Sequence, residues 1–392
     1  MKAAATQMRR IIATVLLLPP LLLLSPPLLA EPDSAAPRHS GLSAAQLGLI
    51  INIDDPYSVA IGEYYRQQRN IPATNILQVR LPRGVASIDR HQFAPIKAAI
   101  DTWLPEQVQV LAVAWTNPSR VECNSMTSAL ARGFMAAPCD ADRSRTQGRN
   151  PTCGLIAPSP YYDSSSTQPY TDFKMRPAMM LAAPTLAAGK ALIDRGIAAD
   201  DSQPRGSAYI MQTSDSTRSL RARLLRPQQL GRKISAAVDV KIVAQDQISD
   251  TRDALFYFQG RTRVDEIDSN RFPAGAIADN LTSFGGMLTD PAGRQMSALD
   301  FIAGGATGTF GTVSEPCAQR LKFPDPAIVI AHYSAGETLI EAYWKSVQVT
   351  FQGLFVGEPL ANPWQRRSDK NSMSDSERPQ NTAPTRDSSA PI

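Results

Sequence analysis

Between residues 47 and 116, three short apolar runs alternate with two amphipathic stretches, and this alternation constrains the fold more than any other feature of the chain. LGLIINI (Leu47 to Ile53) is a near-continuous apolar run with β-branched residues, the pattern of a strand buried on both faces. Asp54-Asp55-Pro56 ends it and caps a helix predicted over Tyr57 to Gln68, with proline at the first turn. Val59, Ala60, Glu63, Tyr64 and Gln67 share one side of that helix and are assigned to cover the sheet. Asn70-Ile71-Pro72 breaks it. ILQVRL (Ile76 to Leu81) reads as a second strand, His91 to Leu104 as a second helix and VQVLAVAWT (Val108 to Thr116) as a third strand. Strands and helices in this order predict an α/β fold with a mostly parallel sheet covered by helices on both faces.

In such a fold ligands sit beyond the carboxyl ends of the strands, which makes Asp54 and Asp55 crevice candidates, with helix capping as their simpler role. No glycine-rich phosphate loop follows the first strand, so no nucleotide cofactor is expected.

The first 30 residues have the layout of a cleaved export signal. Lys2, Arg9 and Arg10 precede an apolar run from Ile11 to Ala30, and a polar segment starting at Glu31 follows. Pro19, Pro20, Pro26 and Pro27 argue against a membrane-spanning helix in the same stretch. Taking Lys2, Arg9 and Arg10 from a net charge of +4 leaves about +1, so the basic balance belongs mostly to this segment. A nucleic-acid partner would need a basic patch with stacking aromatics. The nearest approach, Arg218 to Lys233, is interleaved with leucines and reads as a solvated helix face. Residues 31–43 and 365–392 are rich in Pro, Ser and charge and poor in large apolar side chains, so they read as a disordered linker and tail around a secreted α/β region, 44–364, built as one large domain or two coupled halves. The expected location is periplasmic or secreted, with no stable membrane span after cleavage.

An irregular segment from Glu122 to Pro177 interrupts the α/β pattern and holds Cys123, Cys139 and Cys153; Cys317 is the fourth cysteine. In an exported chain four cysteines read as two disulfides. Three connectivities are possible. The favoured one joins Cys139 to Cys153 and Cys123 to Cys317. Paired short spacings are absent and histidines are few, so no metal site is expected. Tyr161, Tyr162, Tyr170 and Phe173 with Asp163 and Asp172 read as the packing of an ordered loop, or else as a recognition surface for glycan or peptide. The run Met175 to Leu192 reads as a core helix, and SAYIMQTSDS as a parallel strand ending near Thr213.

Three histidines restrict the catalytic options. His39 lies in the linker and His91 starts an amphipathic helix, whereas His332 sits in the apolar run AIVIAHYSAGETLIEAYW as a buried structural residue. Cys317 with His332 forms a nucleophilic dyad only if the thiol is free. No G-x-S-x-G turn supports a Ser-His-Asp triad.

Several long motifs carry a resemblance. LGLIINIDDPYSVAIGEYYRQQRNIPATNILQVRLP, WTNPSRVECNSMTSALARGF and the distal blocks FPAGAIADNLTSFGG, SALDFIAGGATGTFGTVSEPC, AHYSAGETLIEAYWKSV and LFVGEPL together resemble a bacterial family of secreted proteins with no assigned activity, over nearly all of residues 46 to 364. More distantly, the distal half is similar to gingipain-type cysteine peptidases, whose fold is caspase-like. That resemblance places ALFYFQG (Ala254 to Gly260) where a strand would end in a His-Gly pair and AGAIADNLTSFGG (Ala274 to Gly286) where the next would end in the nucleophilic cysteine. Gln259 stands in place of the histidine, and Asn280, Thr282 and Ser283 surround the expected cysteine. Glutamine does not shuttle a proton near neutral pH, and an unactivated hydroxyl is a far weaker nucleophile than a thiolate. The reading is therefore a non-catalytic exported module for binding or envelope structure, with an unknown peptide, protein or glycan partner and crevice candidates Asp54, Asp55, Gln259 and Asn280. The alternative is a secreted hydrolase with relocated machinery, either Cys317 with His332 and Glu315 or Ser283 near Asp279.

Overall fold

The computed structural model describes residues 41–149, 153, 156–225, 237–289, 295–317 and 320–365. The expected signal peptide, most of the linker and nearly all of the tail lie outside these residues. Leu42, assigned to the linker, is packed in the core, and its amide donates to Glu341.

The described strands are β1 (Leu47–Asn52), β2 (Ile76–Val79), β3 (Ser87–Ile88), β4 (Val110–Val113), β5 (Arg120–Val121), β6 (Asn124–Ser125), β7 (Ala178–Met180), β8 (Gly206–Met211), β9 (Val238–Val243), β10 (Ala254–Gln259), β11 (Ile277–Asn280), β12 (Gly308–Thr312) and β13 (Gly353–Gly357). The helices are α1 (Pro56–Arg69), α2 (Arg90–Trp103), α3 (Met126–Arg132), α4 (Ala137–Thr146), α5 (Pro169–Phe173), α6 (Leu186–Ala199), α7 (Leu220–Leu224), α8 (Leu299–Ala303), α9 (Pro326–Ser334) and α10 (Leu339–Lys345).

Ten strands form one sheet in the order β2-β1-β4-β7-β13-β12-β11-β10-β8-β9, and β3, β5 and β6 form a second, small sheet. The large sheet is mostly parallel, as expected. Leu49 sits opposite Ile76, Leu47 opposite Val110 and Phe256 opposite Ile277 in parallel register, whereas β12 and β13 run antiparallel with Thr309 opposite Val356. Beyond β12, the Ser314 hydroxyl donates to the Cys123 carbonyl, beyond β4, at 2.6 Å.

The alternation of side chains along each strand sends core residues to opposite faces of the sheet, and a further cluster forms around Tyr257, Phe272 and Phe301. Leu47, Leu49 and Ile51 face α1, α9 and α10, while Ile50 faces α2 and α3 on the other side. All six residues of β1 are buried, which is why its sequence reads as a continuous apolar run. Trp344 of α10 stacks on Phe355 of β13 with ring centroids 4.5 Å apart, and Phe310 meets Phe355 edge-on at 5.1 Å. A Trp344→Ala cavity here would cost about 3–5 kcal/mol.

Three local expectations are corrected. The buried stripe of α1 is Ser58, Ile61, Gly62 and Tyr65, and Val59 is exposed. Ile61 and Tyr65 are its large apolar anchors, and Gly62 lets the helix approach Ile51 so closely that a Cβ would lie 2.7 Å from that side chain. The run Met175 to Leu192 is not one helix, because β7 and α6 divide it around Pro184. Of the stretch read as a solvated helix face, 226–233 lie outside the described residues, and α7 is solvated on one side only, with Arg221 and Ala222 buried and Arg223 and Leu224 exposed.

Candidate binding crevice

At the carboxyl ends of β10 and β11, both amide side chains are bound into loop backbone. Gln259 Nε2 donates to the Asp246 carbonyl at 2.8 Å and to the Tyr257 hydroxyl at 2.7 Å, and its Oε1 accepts from Gly260 N at 2.8 Å. Burial pushes the Tyr257 hydroxyl up to about 12, so it stays a neutral phenol. Asn280 pairs with Arg261 much as a strand residue would, with Oδ1 accepting from Arg261 N at 3.0 Å and Nδ2 donating to Arg261 O. Gly260 allows the preceding loop to close over this point, since a Cβ there would lie 2.3 Å from the Arg218 carbonyl oxygen.

Behind these amides lies a buried ion pair. The Arg221 guanidinium bonds Asp279 Oδ1 and donates to the Gln259 carbonyl at 2.6 Å, while the Tyr343 hydroxyl reaches Asp279 Oδ2 at 3.3 Å. Arg221 also lies over the Phe258 ring at 5.2 Å. Burial pushes the Asp279 carboxyl up, and the charge and hydrogen bond of Arg221 oppose that shift. An aspartate in the middle of AIADN, with both faces buried, requires a cation. That requirement is the sequence signal by which Arg221 could have been found.

Arg221 also forms part of the wall of a cavity of about 80 Å³. Leu224, Leu225, Leu321, Phe323, Pro324 and Pro326 make its apolar lining, and Tyr162, Arg320, Asp325 and Gln348 supply polar groups. Asp325 caps α9 by accepting from Ala327 N at 2.9 Å, and burial pushes its carboxyl up. Ser159 N bonds the Gln348 carbonyl at 2.7 Å and Asp163 N bonds the Lys345 carbonyl at 2.9 Å, which holds the Tyr162 side of the pocket in place.

The other candidates are not brought together. Cys317 is bonded to Cys153, and Cys123 to Cys139, which reverses the favoured pairing. The α4 turn carries Cys139 back to the β5–β6 hairpin, a local closure that the irregular spacing concealed. No described cysteine is free, so the Cys317–His332 dyad has no thiol. His332 is held between two carboxylates, Glu337 Oε1 at 2.9 Å and Asp163 Oδ1 at 3.1 Å, and the buried Lys345 shares Glu337 Oε1 at 2.8 Å. Glu315 pairs with Lys322 at 2.9 Å, and burial pushes that ammonium down. The Asp279 carboxylate bonds Arg221 and Tyr343 rather than Ser283, whose carbonyl accepts from Thr312 at 2.8 Å. Asp55 caps α1 through Tyr57 N, and the exposed Asp54 pairs with Arg80. Tyr161 is fully buried against Phe173 with centroids 6.3 Å apart, whereas Tyr162 is part-exposed in the cavity wall. Among the described residues no group of three or more His, Cys, Asp or Glu is placed to hold a metal ion, and no helix is long and apolar enough to cross a membrane.

No known protein-family model matches the chain, and no curated protein matches it. A solved structure described as "Structure of Protease" is similar over 83% of this chain and 79% of its own length, with 9% sequence identity and a TM-score of 0.39. That likeness is too slight to assign a fold family or an activity.

Proposed function

We propose that this protein is a non-catalytic exported α/β module that binds a peptide segment in the crevice beside β10 and β11. The carrying observation is the state of Gln259 and Asn280. Each uses both its amide nitrogen and its amide oxygen on neighbouring groups, which makes them staples of the loops beyond β10 and β11. A residue kept for chemistry would hold a lone pair or proton ready for a substrate. The adjoining cavity is well below the roughly 300–1,000 Å³ of typical small-molecule sites, and it suits one protruding side chain. Two disulfides fit an oxidising compartment such as the periplasm or cell exterior.

Unbiased peptide-display panning against the purified protein tests this reading. The expected result is an enriched peptide class whose binding is weakened by Leu224→Trp, which crowds the mouth of the cavity while altering a residue 38% exposed. Failure to enrich any peptide, or enrichment indifferent to Leu224→Trp, contradicts it.

A further inference from the structure

Resting on the binding reading above, we infer that the crevice takes an acidic peptide with a single bulky aliphatic side chain as its anchor. Six of the twelve residues in the cavity wall are apolar, namely Leu224, Leu225, Leu321, Phe323, Pro324 and Pro326, and an aliphatic group that enters is buried against them. Its space of about 80 Å³ equals that of only a handful of waters at roughly 10–15 Å³ each, which matches one branched aliphatic side chain. Leu224 is exposed at the rim and extends the apolar surface outward.

The charges around this mouth are unbalanced. Arg320 lies in the wall and is exposed, and Arg223 is exposed beside Leu224 on α7. Neither side chain makes an ion pair or hydrogen bond among the described residues, although the charge of Arg320 acts on Asp325 and Tyr162. Arg221, the third arginine here, is already neutralised by Asp279. The one acid in the wall, Asp325, caps the α9 N-terminus and offsets part of the charge of Arg320. With Arg223 and Arg320 exposed against this one acid, the mouth has an excess of positive charge beside its apolar side, and carboxylates flanking the anchor meet two exposed guanidinium groups. The Gln348 side chain, part-exposed in the wall and unbonded among the described residues, adds a donor and an acceptor for the peptide backbone.

The test uses fluorescence anisotropy with three labelled heptapeptides. The first has a central leucine with two glutamates on each side, the second replaces the leucine by glycine, and the third replaces the glutamates by lysines. The leucine–glutamate peptide should bind at least about tenfold more tightly than either control, because burying the anchor and pairing the charges both contribute. Raising the ionic strength to about 1 M should weaken it, as the screening length falls to about 3 Å. Arg223→Ala and Arg320→Ala should each weaken it about threefold and flatten the salt dependence. Leu224→Trp should reduce it further, with circular dichroism and melting confirming that each variant is folded. Equal binding of the glycine or lysine peptide, absence of binding by all three, or no effect of the arginine substitutions overturns the inference. If panning yields another peptide class that is still lost in Leu224→Trp, the binding reading stands and only the acidic-aliphatic specificity falls.

Discussion

Replacing Gln259 with methionine distinguishes a staple from a remnant of catalysis. Methionine keeps nearly the same length and volume, so the change removes hydrogen bonds without opening a large cavity. Three bonds are lost, to the Asp246 carbonyl, the Tyr257 hydroxyl and Gly260 N. At about 1 kcal/mol net each the cost is about 3 kcal/mol, and it rises if the Gly260 amide finds no water. For a folded region of this size that corresponds to a fall of about 4 °C in Tm. Urea unfolding followed by far-UV circular dichroism measures it as a lower midpoint with unchanged slope. Residues retained for chemistry are commonly neutral to stability when replaced, or even cost it in the wild type. A Gln259→Met protein within about 0.5 kcal/mol of wild type would refute the staple assignment.

Further outcomes follow from the same geometry. Thiol titration of the denatured, unreduced protein should find no free sulfhydryl. Removing Cys153–Cys317, with 164 residues between its ends, should cost about 5 kcal/mol, against about 3 kcal/mol for Cys123–Cys139 with a separation of 16, when paired alanine variants are unfolded in urea. Arg221→Met leaves Asp279 buried without its cation and should cost about 3–5 kcal/mol at neutral pH. Because burial raises the Asp279 carboxyl above its unfolded value, its protonation favours the folded state, so this variant should regain stability as pH falls through the folded-state value; a loss that is the same at every pH would contradict the assignment. Asp253 behaves oppositely. Burial works against its ionised form, but Ser207, Tyr209 and Lys241 together hold the carboxyl below its usual range. Its contribution is present above the ordinary carboxylate value and is lost on acidification through the folded one, so Asp253→Asn should flatten the acid limb of the stability profile.

Long-range architecture was legible where the pattern was strong. Continuous apolar runs such as Leu47 to Ile53 and Ala254 to Phe258 can be satisfied only by burial on both faces, and both are interior strands. The Asp55-Pro56 cap was legible for the same local reason. The α1 face was misjudged because a buried glycine and serine lie beside the two real anchors, Ile61 and Tyr65, and neither is apolar enough to mark the stripe. Arg221 was missed because its partner Asp279 lies 58 residues away, and no local pattern links a helix arginine to a strand aspartate. The disulfide pairing was illegible for the reason that applies to any set of four cysteines, since loop closure costs change slowly with length. Gln259 and Asn280 were identified as positions, but their hydrogen bonds to Asp246 and Arg261 depend on where two loops fold back, which only the three-dimensional arrangement shows.

The central claim is that this crevice binds and does not cut. Mass-spectrometric profiling of a complex peptide library incubated with the wild-type protein, alongside Ser283→Ala and His332→Ala, tests it most directly. The account predicts no cleavage above the buffer blank in any of the three. Cleavage by wild type that disappears in either variant would contradict it and establish a hydrolase with relocated catalytic residues.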